Sequence, residues 1–96
     1  MARSERLRVF TYDISSNISR RRVAKILENV ASRVQFSVFE TRLSDAKVAA
    51  ITKSITPHLD ESDSLRVYTI GKSGEKHCDV SGAGAPIENE AGYWLF

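Results

Sequence analysis

One cysteine, two prolines, five glycines and a single tryptophan stand among the 96 residues of this chain. The lone Cys78 leaves no disulfide framework and no paired-thiol ligand set, which removes metal chaperones of the two-cysteine kind and points by default to a reducing, cytoplasmic compartment. No apolar run approaches the roughly 20 residues a membrane helix needs, and the opening Met-Ala-Arg-Ser-Glu-Arg is not a secretory signal, so no membrane partner is expected. The few glycines form no phosphate loop, and GxSxG, HExxH and CxxC patterns are all missing. His58 follows Pro57 at a helix end and His77 follows a turn; neither flanks a nucleophile, and both read as surface or capping residues. A Ser-His-Asp triad can be assembled only by choosing residues freely, and is rejected.

What is present is the composition of an ordinary globular protein, 42% hydrophobic and 27% charged, with one domain's worth of chain. A chain this short buries only about 60–65% of its unfolded surface, so association with another copy would add apolar burial. The formal charge is only +2, but it is unevenly spread: residues 1–33 hold eight Arg or Lys against three acids, and the remainder six against nine. A basic first third joined to a mildly acidic remainder suits a polyanionic partner. The competing account is a solvated helix face.

Leu7 to Tyr12 is rich in β-branched and aromatic residues and predicts a first strand ending at Asp13. After the polar break Ser15-Ser16-Asn17, the residues Val23, Ile26, Leu27 and Val30 recur at helical spacing, with Asn17 or Ser19 as the expected cap. From Arg33 to Thr41 the period returns to two, with Val34, Phe36 and Val38 opposite Gln35, Ser37 and Phe39. That pattern predicts one continuous strand; a tight reversal within it is the alternative. Ser44 is the expected N-cap of a second helix, with Leu43 and Val48 as a hydrophobic staple and Val48, Ile51 and Ile55 as its buried stripe. Pro57 should end that helix near Thr56. Ser64 to Ile70 predicts another strand, Gly71 to Gly74 a turn, and Lys76 to Val80 a short strand pairing back. Residues 1–80 then form one domain, and residues 81–96 a flexible linker carrying an apolar end from Tyr93 to Phe96.

Both faces of the first two strands carry large apolar side chains, although two helices cover only one face of a small sheet. That excess, with the apolar tail, implies a second copy or a tail folded back on its own sheet.

Asp13 remains as the chemistry-bearing group. A carboxylate at a strand end can hold Mg²⁺, which takes one or two carboxylates and keeps its waters, and two copies of Asp13 across a two-fold axis would make a fuller site. The competing account is a loop or helix cap. Arg20, Arg21 and Arg22 open the first helix, where cations oppose the helix dipole and free N–H groups already attract phosphate. Their placement disfavours a purely stabilising role and favours a polyanion.

Four blocks carry a resemblance: Tyr12-Asp13-Ile14; Arg20-Arg21-Arg22; Arg33-Val34-Gln35-Phe36-Ser37-Val38-Phe39-Glu40; and Asp63-Ser64-Leu65-Arg66-Val67-Tyr68. In this order and spacing, over residues 7–70, the chain resembles the CRISPR-associated protein two family. It departs from the usual pattern at Ala31-Ser32, where a glycine often precedes the Arg-Val-Gln block.

The resemblance implies an α+β, ferredoxin-like βαββαβ sandwich with the 33–41 region divided into two strands. It also implies an extra C-terminal strand and a sheet-to-sheet homodimer, with residues 81–96 docking on the partner. It assigns Asp13 to a Mg²⁺ shared across the two-fold, and places Tyr12, Arg20, Arg22, Arg33, Ser37 and Phe39 at positions of nucleic-acid contact or cleavage. Arg21, Lys25 and Arg66 are added from charge alone. Two roles follow: a metal-dependent endonuclease on RNA or DNA, and a non-catalytic platform that binds double-stranded DNA with CRISPR integrase subunits during spacer acquisition. A toxin-like ribonuclease of the same fold outside CRISPR immunity is a further alternative. An RNA-recognition-motif binder is disfavoured, because Ser64 to Ile70 lacks that motif's aromatic signature.

Overall fold

The computed structural model describes residues 5–84, 87–88 and 94–95. Strand β1 (Arg6–Asp13) lies at the centre of a four-stranded sheet, with large side chains alternating across it as the period-two pattern requires. Helix α1 (Asn17–Glu28) follows after a three-residue break, then β2 (Ser32–Gln35) and β3 (Val38–Leu43), helix α2 (Asp45–Ile55) and β4 (Ser64–Ile70). The spatial order is β2-β3-β1-β4 with every neighbour antiparallel, which is the ferredoxin-like βαββαβ arrangement.

Register decides which face each side chain takes. Phe10 lies opposite Phe39 on one side and Val67 on the other. All three point to the helices, where Phe10, Tyr12 and Phe39 join Val23, Leu27, Ile51 and Ile55 in one core. Leu7, Val9, Thr11 and Asp13 therefore point to the face that carries neither α1 nor α2 (the helix-free face, where no long helix packs), together with their opposites Glu40, Arg42, Arg66, Tyr68 and Ile70.

The N-cap of α1 is Ser16, whose hydroxyl accepts from the Ser19 N–H at 3.2 Å, in place of the expected Asn17 or Ser19. Asn17 is occupied otherwise, its amide oxygen accepting from the Arg20 guanidinium. Ser44 caps α2 as expected, accepting from the Lys47 N–H, and a 3₁₀ turn (Thr56–His58) containing Pro57 ends it.

Two expected elements differ. The 33–41 segment is not one strand: it reverses at a two-residue turn, Phe36–Ser37, with Gln35 paired to Val38 and a register shift between Arg33 and Gln35. Alternation alone does not separate a long strand from two short ones joined by a tight turn. The core takes Phe39 from this segment and leaves Val34 and Phe36 exposed, the reverse of the apolar face that alternation suggests. Beyond β4, the chain forms a single helical turn, α3 (Lys72–Glu75), and Lys76 to Val80 is not a strand. Coiling there brings Glu75 onto the Arg42 guanidinium, a charge-assisted contact that a hairpin would not supply.

Two short strands, β5 (Ile87–Glu88) and β6 (Trp94–Leu95), pair antiparallel as a separate sheet. Ile87 is buried, and with Cys78 to Ser81, Ala83 and Gly84 it borders a cavity over Leu7, Glu40 and Ile70 on the helix-free face. Tyr93 and Phe96 lie outside the described residues.

Candidate nucleic-acid interface

The end of β1 collects most of the residues singled out in the sequence. Tyr12 points into the core, and its hydroxyl donates to the Phe36 carbonyl at 3.1 Å while its backbone N–H donates to the Ser37 carbonyl at 3.2 Å. Arg33 donates to the same Phe36 carbonyl from Nε at 3.2 Å and from Nη2 at 3.0 Å, and pairs through Nη1 with Glu28 at 3.2 Å. The Tyr12 and Phe39 rings stack with centroids 6.3 Å apart. The turn carrying Phe36 and Ser37 is thus fastened to β1 by the Tyr12 phenol and one backbone bond, and braced on β2 by the Arg33 guanidinium.

Asp13 follows Tyr12 and is exposed, on the helix-free face, opposite Ser64. Asp63 closes this end of the sheet: its two carboxylate oxygens accept from the Ser15 N–H at 3.1 Å and the Asp60 N–H at 2.9 Å. Asp63 is committed to backbone, while Asp13 projects to solvent. Among the described residues no three His, Cys, Asp or Glu side chains cluster as a metal site.

Of the α1 cations, Arg20 is folded back onto the chain, donating to the Ile14 carbonyl at 3.0 Å. Arg21, Arg22 and Lys25 are exposed along the helix. Arg66 lies elsewhere: it pairs across from Thr11 on the helix-free face, 3.4 Å from the Tyr68 hydroxyl, so the sheet separates it from the α1 surface. Phe39 is completely buried and offers no surface to a substrate. Its part in the site is to carry the Arg33 guanidinium, 5.1 Å above its ring.

Sequence reasoning passed over Glu28, which holds Arg33, and Phe36, whose carbonyl is the common acceptor. The usable signal for Phe36 was an aromatic residue next to a serine inside a block that must reverse.

Residues 6–77 match the model of a family described as CRISPR associated protein Cas2. A CRISPR-associated endoribonuclease Cas2 from Synechocystis is 36% identical over 77 residues, which cover 79% of this chain and 84% of the relative. The crystal structure of Streptococcus pyogenes Cas2 at pH 6.5 superposes with a TM-score of 0.68 at 32% identity, covering 79% of this chain and 99% of that one. A chain of a partial Cas6-RT-Cas1–Cas2 complex superposes with a TM-score of 0.57 at 24% identity, over 78% of this chain and 89% of that one, a likeness of fold alone.

Proposed function

Because the chain belongs to the CRISPR-associated Cas2 family, we propose that it serves in spacer acquisition in the cytoplasm, as a homodimer. In this reading the dimer binds double-stranded DNA beside integrase subunits, and Asp13 would hold a Mg²⁺ that supports hydrolysis of phosphodiester bonds in RNA or DNA. The integrase partner is suggested by the Cas1–Cas2 pairing named for one structural relative. Residues 81–96 would dock on the second copy.

The observation that carries the reading is the position of Asp13. It is an exposed carboxylate at a strand end, beside a pinned hairpin turn and the start of an arginine-bearing helix. A hard oxygen donor at that place fits Mg²⁺, and Asp13 from a second copy would supply the ligand that one chain lacks. The helix-free face also suits pairing, since Tyr68 is 51% exposed there. When bound, the hydrated ion supplies Lewis-acid stabilisation and a nucleophilic water. The chain's own residues do the rest: Arg21 and Arg22 draw the phosphate backbone to the surface, Arg33 balances developing negative charge, and Tyr12 holds the turn bearing Ser37 in place.

Wild type and Asp13→Ala should be compared for cleavage of single-stranded RNA and duplex DNA, with Mg²⁺ and with EDTA. The variant should keep its fold, since Asp13 is outside the core, and should lose metal-dependent cleavage. Undiminished cleavage by rigorously purified Asp13→Ala would end the hydrolytic reading. A platform without hydrolysis is favoured by the exposed cations of α1, which would attract phosphate whether or not Asp13 works. Reversing the charge of Arg20, Arg21 and Arg22 should then weaken duplex binding and flatten its salt dependence; unchanged binding at several salt concentrations would rule the platform out.

A further inference from the structure

We propose that Phe36 is a stacking anchor for an unpaired base of a single-stranded nucleic acid lying along the Asp13 end of the sheet. This rests on the nucleic-acid reading above and names a substrate form for it. Phe36 is 88% exposed, more than any other large hydrophobic residue among the described residues. It stands in a two-residue hairpin turn, where glycine, asparagine and aspartate are the usual occupants, so turn geometry does not call for it. The core does not call for it either, since Phe39 and Tyr12 fill that space.

The ring is exposed but its backbone is fixed. The Phe36 carbonyl accepts from the Tyr12 hydroxyl at 3.1 Å and from Arg33 Nε and Nη2 at 3.2 and 3.0 Å. A backbone fixed this way leaves only the two side-chain torsions of the ring to be ordered on binding, which keeps the entropic cost of a stacking contact small. Its neighbours suit a nucleotide: the partly exposed Arg33 guanidinium lies at the root of the same turn, and Tyr12 links the turn directly to Asp13. Arg20 ties the α1 start to the Ile14 carbonyl just beyond. A ring for the base, a cation for the phosphate and a carboxylate at the strand end therefore stand at one end of the sheet. Paired bases in a duplex present edges in a groove and not faces, so a projecting phenyl ring selects an unpaired base.

The test is binding in EDTA, so that nothing is cleaved. The probes are labelled single-stranded RNA and DNA of one sequence, and a duplex of the same length. Phe36→Ala and Phe36→Leu should each weaken single-strand binding by roughly 5- to 150-fold and leave duplex binding within about twofold, because base stacking on an aromatic ring is worth that factor. Phe36→Trp should restore single-strand binding, with fluorescence quenching beyond that of wild type, which contains only Trp94. RNA and DNA responding alike marks base stacking as the source; loss with RNA alone still supports the anchor and adds a sugar contact.

Wild-type single-strand affinity in Phe36→Ala or in Phe36→Leu would overturn the proposal. So would equal losses for duplex and single strand, or a change in oligomeric state on sedimentation, which would mean that the ring packs against a second copy. If wild type binds none of the probes, the nucleic-acid reading itself fails. If it binds them all and only Phe36→Ala is silent, the stacking role alone is lost.

Discussion

The guanidinium of Arg33 lies 5.1 Å from the centroid of the fully buried Phe39 ring. The same ring stacks on Tyr12 at an interplanar angle of 22°. Phe39 is therefore the floor on which both donors to the Phe36 carbonyl are set. Its place in a functional block reflects positioning of Arg33 and Tyr12, with no contact to substrate.

That arrangement separates stability from activity. Phe39→Leu keeps the site apolar but loses the stacked pair and the cation–π contact and leaves space behind, which should cost about 1–3 kcal/mol of stability. Arg33→Lys keeps the charge and loses the two-pronged hold on the Phe36 carbonyl. Its stability should fall by less than about 1 kcal/mol because the pair with Glu28 is exposed, while cleavage should drop far more. Denaturant melts and initial cleavage rates on both variants check this; equal effects of Arg33→Lys on both measures would contradict it.

A second relationship tests the core. Arg8 is buried under α2 and donates from Nε to the Leu43 carbonyl at 3.1 Å, from Nη1 to Thr69 Oγ1 at 2.9 Å and from Nη2 to Asp45 Oδ1 at 2.7 Å. The Asp45 side chain is 91% exposed while that of Arg8 is 5% exposed, so the two partners should respond unequally. Arg8→Ala strands the Leu43 carbonyl and opens a cavity, and should cost about 2–4 kcal/mol. Asp45→Asn loses a solvent-screened charge and should cost less than about 1 kcal/mol. Similar midpoint shifts for the two variants in urea would show that the ion pair, and not the buried hydrogen bonds, carries the effect.

The strands and helices were legible because their periods are set by burial on one face: β1, α1, α2 and β4 all lie where the apolar spacing places them. The 33–41 reversal was not legible from alternation, since Phe36-Ser37 lacks the glycine, asparagine or aspartate that usually marks a two-residue hairpin turn. Only resemblance to a family with two strands there corrected it. Of the candidate site, Tyr12, Arg33 and Ser37 do come together at one end of the sheet, where Asp13 is exposed as the last residue of β1. Arg66 does not join the α1 cations, because charge counting along a chain carries no information about which face of a sheet a residue takes. Glu75 on Arg42 and Asp63 on Ser15 were equally hidden, being contacts between segments far apart in sequence.

Capping offers a local check at the basic helix start. Ser16 Oγ accepts from the Ser19 N–H, so Ser16→Ala should destabilise the protein by about 1 kcal/mol. Asn17 only receives the exposed Arg20 side chain, so Asn17→Ala should change stability by less than about 0.5 kcal/mol. Thermal melts of the two variants would reverse this ranking if Asn17 were the true cap.

Glu40 gives the pH prediction. It lies on the helix-free face opposite Val9, bordering the cavity under the 78–84 segment, and burial raises its carboxyl above the ordinary value of 4.5. Burial disfavours the charged form, so the folded state holds this proton more tightly than the unfolded chain does. The sign follows from linkage: with more protons bound in the native state, stability falls as pH rises from the ordinary value through the raised one. Above that window the ionised carboxylate costs stability; below 4.5 the cost is absent. Glu40→Gln, uncharged at every pH, should therefore melt higher than wild type at neutral pH, and the gap should close as the medium is acidified through the window. Melts across an acid-to-neutral series measure it directly. A gap that stayed constant with pH would mean that Glu40 titrates alike in the folded and unfolded chain, and that the helix-free face around it is open to water.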